Sequence, residues 1–140
     1  MIKSLTVLVM LSLLSACASN SGSRSVYEQL GGQQKVEEIV QNFVTEIEYD
    51  PVILAYFKGA DIDRFIEKLS EQICQRTGGP CEYTGDTMEQ VHGGMNITES
   101  HFNRTVDLLI NAMNKADVPH TLQNKVLKAL APTRDNMLYK

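Results

Sequence analysis

The sequence predicts an all-α fold. Apolar residues recur at helical spacing in long segments, capping patterns stand before short helices, and no segment alternates apolar and polar residues as a half-buried strand does. Ser25-Val26-Tyr27-Glu28 fits a capping box, in which the serine hydroxyl and the glutamate carboxylate each satisfy an amide that a helix start leaves free. The short helix it opens ends at Gly31-Gly32. Val36, Ile39, Val40, Phe43, Val44 and Ile47 then predict an amphipathic helix from Gln33 to about Tyr49. Asp50-Pro51 stops that helix and starts the next, because proline suits a first helical turn.

Val52 to Phe57 reads as a brief helix closed by Lys58-Gly59. Ile62, Phe65, Ile66, Leu69 and Ile73 mark the stripe of another, which Thr77-Gly78-Gly79-Pro80 ends. Thr87-Met88-Glu89-Gln90 is a second capping box, and its helix has room for little more than one turn before Gly93-Gly94, with His92 at its end. Thr98 caps a helix whose inward stripe is Phe102, Val106, Leu109, Ile110 and Met113. Asp117-Val118-Pro119 turns the chain into a last helix with Leu122, Val126, Leu127 and Leu130 inward and a kink at Pro132.

The first residues read as an address rather than as part of this fold. Met1-Ile2-Lys3-Ser4 is followed by an apolar run from Leu5 to Leu14, broken at Thr6 and Ser12, and by small residues, which together make a secretory signal. The run is too short for a bilayer helix, which needs about twenty residues to cross about 30 Å. Leu14-Ser15-Ala16-Cys17 resembles the bacterial lipobox, which implies cleavage before Cys17 and lipid on its sulfur and amine. An ordinary signal with an incidental cysteine is the alternative. Ala18 to Arg24, rich in Ser, Asn and Gly, suits a flexible tether. The expected units are a signal peptide at 1–16, a lipidated cysteine and tether at 17–25, and one domain at 26–140. Ala18, not Asp, follows the cysteine, which by resemblance to Gram-negative lipoproteins implies the outer membrane, facing the periplasm.

Processing would remove one of the 13 basic residues, Lys3, and none of the 17 acids, taking the net charge from −4 to −5. A chain this acidic and without a basic run is no nucleic-acid binder, which needs clustered Lys and Arg against phosphates. With Cys17 assigned to lipid, Cys74 and Cys81 remain. Export to an oxidising compartment leaves two readings for them, a disulfide and two separate thiols.

The chain offers no nucleophile elbow, no Gly-rich phosphate loop, no zinc cysteine pair and no His-x-Glu pattern, and its three histidines are scattered. What remains is a lone histidine on a very short helix between glycine-rich loops, which alone reads better as a structural residue than as a ligand. Its surroundings are more specific. Tyr27-Glu28-Gln29-Leu30-Gly31-Gly32, Gly78-Gly79-Pro80 followed by Tyr83-Thr84-Gly85, Val91-His92, Ile97-Thr98 with His101-Phe102, and Ala131-Pro132 stand in an order and spacing that resemble the group I truncated haemoglobins. The resemblance covers Val26 to about Leu138.

That resemblance implies a truncated globin domain, two helices over two around haem b, with His92 as the proximal iron ligand. A neutral imidazole is a standard proximal ligand, and its other nitrogen needs a hydrogen-bond partner to hold the ring. Phe57, with Tyr56 beside it, matches the family's phenylalanine stacked near the haem. Met88 falls one turn before His92 where a haem contact is expected, and Tyr83 belongs to the same cofactor-binding loop. Lys68 matches a haem-edge position that pairs with a propionate or, in some relatives, ligates iron, a solvated surface lysine being the alternative. His101 matches a family position and reads as structural, and His120 has no site argument.

The departures are distal. Where group I relatives commonly place a tyrosine on the second helix and a glutamine on the fourth that donate to bound oxygen, this chain has Val44 and Leu69, and Phe65, nearest the usual distal-ligand position, is equally unable to donate. Gln72 is the only nearby candidate to replace them. The resemblance thus implies a haem globin that binds O₂, NO or CO at the cell envelope, for oxygen binding or transport, redox work or ligand sensing, with a reductase as redox partner. A nitric-oxide dioxygenase or peroxidase-like enzyme is the first alternative, and the missing distal donors argue against it. A haem-free globin-fold interaction module is the second.

Overall fold

The computed structural model describes residues 23–140. The expected signal peptide, Cys17 and most of the tether lie outside the described residues. Helix α1 (Val26–Leu30) starts on the capping box, with the Ser25 hydroxyl accepting from the Glu28 amide and the Glu28 carboxylate from the Ser25 amide. It stops at Gly31, whose φ of 113° puts it in the left-handed region that a side chain disfavours. Helix α2 (Gln33–Glu48) follows, then α3 (Pro51–Leu54), a 3₁₀ turn at Ala55–Phe57, α4 (Ile62–Arg76), α5 (Met88–His92), α6 (Glu99–Lys115), α7 (His120–Leu130) and a 3₁₀ turn at Ala131–Asn136. The only extended pairing among the described residues is an isolated bridge, Ile97 with Leu138, which moors the loop after α5 to the C-terminal tail.

The two layers follow from which faces are apolar. Helix α2 packs on both α4 and α6, and α4 also packs on α7. Val36, Ile39, Val40, Ile73, Met113 and Val126 are fully enclosed between them. Truncating any one would leave a cavity in a close-packed interior, at a cost of about 2–5 kcal/mol for an Ile- or Met-to-Ala change.

Three sequence expectations are corrected. Phe102 is half-buried rather than core, because it lies under the Arg134 guanidinium at 5.7 Å. Ile62 is exposed as the first residue of α4. Pro132 does not kink a continuing helix: α7 ends at Leu130, and the chain tightens into the 3₁₀ turn that holds the proline in its first positions.

The corner between α2 and α3 is tied by an ion pair that spacing did not reveal. Buried Asp50 caps α3, accepting from the Val52 and Ile53 amides at 3.0 and 3.1 Å, and pairs with Arg104 of α6. Burial pushes the Asp50 carboxyl up, but the Ile53 amide and Arg104 outweigh it and hold the group below its ordinary range.

Candidate functional site

His92 is the last residue of α5. A helix this short is not stable alone, since one turn costs more chain entropy than its few hydrogen bonds return. Its start is secured locally by Thr87, whose hydroxyl accepts from the Gln90 amide while the Gln90 side chain accepts from the Thr87 amide. The half-buried His92 ring sets Nδ1 2.7 Å from the Met88 carbonyl. That carbonyl can only accept, so Nδ1 carries the proton and the lone pair is on Nε2. Nε2 has no hydrogen-bond partner among the described residues. Burial holds the imidazole below its ordinary value of 6.5, against the smaller upward pull of the Met88 carbonyl. At neutral pH the ring is an uncharged donor with a free nitrogen.

The expected apolar residues form part of one cluster. Phe57 meets Phe65 edge to face, with ring centroids 4.8 Å apart, and Phe65 meets Phe43 at 6.4 Å. Phe65, Leu69, Ile110, Leu127 and Leu130 are packed against the core but only half-buried. Val44 is half-buried on α2. Val44, Phe65 and Leu69 carry no N–H or O–H group beyond the backbone.

The polar residues are committed elsewhere. Gln72 is buried, and its Nε2 donates to the Met88 Sδ at 3.1 Å. Lys68 Nζ is surrounded by Glu67 at 2.7 Å, Glu71 at 2.9 Å and the Thr84 hydroxyl at 2.8 Å, which uses all three of its N–H donors. Glu67 and then Glu71 raise its pKa, so the nitrogen stays protonated. Tyr83 donates its hydroxyl to the Asp86 carbonyl at 2.6 Å, and burial first, then the Asp86 charge, push its pKa up. His101 Nδ1 lies 2.6 Å from the Tyr56 hydroxyl, with the two rings edge to face, so it ties α6 to the 3₁₀ turn after α3. His120 is exposed at the start of α7.

Glu71 was not singled out by sequence, although it is central to this geometry. Its carboxylate accepts the Thr84 amide at 3.0 Å and the Thr84 hydroxyl at 3.0 Å and pairs with Lys68. The three-residue spacing of Lys68 and Glu71 could have signalled a helix ion pair, but the loop partner is remote in the chain. Cys74 and Cys81 are joined by a disulfide with Cα atoms 5.8 Å apart. Gly79 lies against this bridge: a Cβ there would fall 2.6 Å from the Cys74 sulfur and 2.8 Å from the Tyr27 ring.

Comparison with known proteins settles the family. The bacterial-like globin family model matches residues 25–139. Group 1 truncated hemoglobin GlbN of Mycolicibacterium paratuberculosis is 35% identical over 77% of this chain and 79% of its own length. This chain belongs to the group 1 truncated hemoglobins. The Fe(III) crystal structure of truncated hemoglobin from Tetrahymena pyriformis, 28% identical, superposes with a TM-score of 0.80 over 84% of this chain and all of that one. The 2/2 hemoglobin of Synechococcus sp. PCC 7002 shares the fold, at a TM-score of 0.76 over 82% of this chain and 98% of that one, with 21% identity. A truncated hemoglobin implies haem, and the residues present are of the kinds it needs: a neutral imidazole at His92 with an unpaired Nε2, and a cluster of half-buried aromatic and aliphatic side chains of the kind a porphyrin face requires.

The Glu71 clasp gives a pH signature. The Thr84 amide first, and Lys68 second, lower its pKa from 4.5 to about 2. A lowered carboxylate pKa means the clasp stabilises the fold fully above pH 4.5, and that this contribution is lost as pH falls toward about 2. Urea midpoints of wild type and Glu71→Gln should therefore differ most above pH 4.5 and converge near pH 2. A constant difference across that range would assign the pKa to other groups.

Proposed function

We propose that this truncated hemoglobin binds haem b through His92 and offers small diatomic gases an apolar distal pocket at the bacterial cell envelope. The observation that carries the reading is the His92 ring, whose Nδ1 is fixed on the Met88 carbonyl so that Nε2 is left as the donor. Haem, when bound, supplies an iron centre at which O₂, NO or CO can coordinate. His92 would hold it, and Phe57, Phe65, Leu69, Val44 and Met88 would surround it. Lys68 and Tyr83 would stand at its edge, where the pairing of Lys68 with Glu67 and Glu71 argues against its serving as a ligand.

The absorbance of purified protein titrated with haem tests this. Wild type should develop a Soret band at one haem per chain, and His92→Ala should lose it. A wild type that stays colourless with added haem would leave only a haem-free interaction module.

The distal side argues for weak oxygen retention. Val44, Phe65 and Leu69 donate nothing, and Gln72, the one amide expected near them, turns its nitrogen to the Met88 sulfur. A hydrogen bond to a charged acceptor contributes about 1.5–3 kcal/mol, which is about a tenfold effect or more. Of the two gases, O₂ would draw more from a hydrogen-bond donor than the less polar CO, so the missing donor would weigh on O₂. This favours redox work or ligand sensing, with a reductase as partner, over oxygen storage. Val44→Tyr should slow O₂ release about tenfold or more and leave CO binding nearly unchanged. Slow O₂ release in the wild type, unaltered by Val44→Tyr, would mean that another group reaches the ligand.

The envelope location is inferred from Leu14-Ser15-Ala16-Cys17 and the tether after it. No helix among the described residues is long and apolar enough to cross a membrane, so attachment in this reading rests on acyl chains at Cys17. Cys17→Ser should accumulate as an unprocessed precursor without lipid. Normal maturation and membrane partition of that variant would remove the anchor from the account.

A further inference from the structure

The loop between α4 and α5 runs back along α4, and α4 side chains fasten it in order. Cys74 takes Cys81, Glu71 and Lys68 take Thr84, and Arg64 takes Asp86. The first fastening is covalent. The last is a 3.3 Å pair between exposed groups, worth little in water. Glu71, between them, binds backbone as well as side chain: both its oxygens are engaged, by the Thr84 amide, the Thr84 hydroxyl and Lys68. Thr84 stands just before Thr87, the residue that caps α5, and α5 ends on His92.

We propose that Glu71 is a positioning residue for His92: by gripping Thr84 it fixes the loop that aims α5, in parallel with the Cys74–Cys81 bridge. Either fastening holds the imidazole when the other is removed. The inference rests on the reading of His92 as the haem ligand, but the grip itself can be measured without haem. Residues that support a metal ligand typically change metal affinity about tenfold or more when lost. Two that act on one loop should combine non-additively.

The test compares wild type, Glu71→Ala, the double variant Cys74→Ser with Cys81→Ser, and the three changes together. Amide hydrogen exchange on haem-free protein reads the grip. Loss of haem to excess apomyoglobin and the iron–histidine stretch of the ferrous protein read its effect on His92. Each fastening removed alone should leave haem loss within a few-fold of wild type, whereas removal of both should speed it about tenfold beyond the product of the two. The iron–histidine stretch should broaden only in the combined variant. Glu71→Gln in the cysteine-free background should recover most of the loss, since its amide oxygen still accepts from Thr84. Haem loss equal to the product of the separate effects would overturn the proposal. If the combined variant does not fold, Glu71→Ala with its disulfide intact decides: the Thr84 amide should exchange about tenfold faster than in wild type, and unchanged exchange overturns the grip. A wild type that takes up no haem would overturn the role of His92, while the exchange rates would still report whether Glu71 holds the loop.

Discussion

The site depends on keeping a five-residue helix in place. Helix α5 closes too few hydrogen bonds to persist alone, yet it carries His92, whose Nδ1 is fixed on the Met88 carbonyl and whose Nε2 is left without a partner among the described residues. Everything around it substitutes tertiary constraint for helix length. A capping box secures its start, the α4 clasp and a disulfide hold the loop before it, and the Ile97–Leu138 bridge moors the loop after it. In the chain-entropy model a bridge over so short a separation contributes about 2–3 kcal/mol. That is comparable with the few kcal/mol on which domain stability turns.

This constraint explains the distribution of polar groups near the site. Lys68, Glu71, Thr84, Tyr83 and Gln72 all lie close to the loop or to α5, and each is used to hold one segment to another. Lys68, Thr84 and Tyr83 each spend their donors on fastening the loop that leads to α5.

Local features were legible in the sequence. Both capping boxes form as their spacing predicts, Asp50 and Pro51 start α3, and the stripes of α2 and α7 place Val36, Ile39, Val40 and Val126 inside. These depend on neighbours within a turn or two, so spacing carries them. The Glu71–Thr84 clasp, the Asp50–Arg104 pair and the Tyr56–His101 contact join segments far apart in the chain. No periodicity records which loop amide a glutamate will meet. Buried Gln123 was missed for a related reason: its polar head is satisfied by Asn114 and the Val118 carbonyl, which only the folded turn brings within reach. Phe102 was misplaced because its position on the stripe could not reveal the arginine from the C-terminal turn that shares its ring.

The central claim is that His92 alone supplies the protein's bond to iron. Resonance Raman spectra of the ferrous, ligand-free protein read that bond directly. The account predicts one iron–histidine stretching mode that disappears in His92→Gly and returns when free imidazole fills the space. Persistence of the mode in His92→Gly without imidazole would contradict it, by showing that another histidine holds the iron.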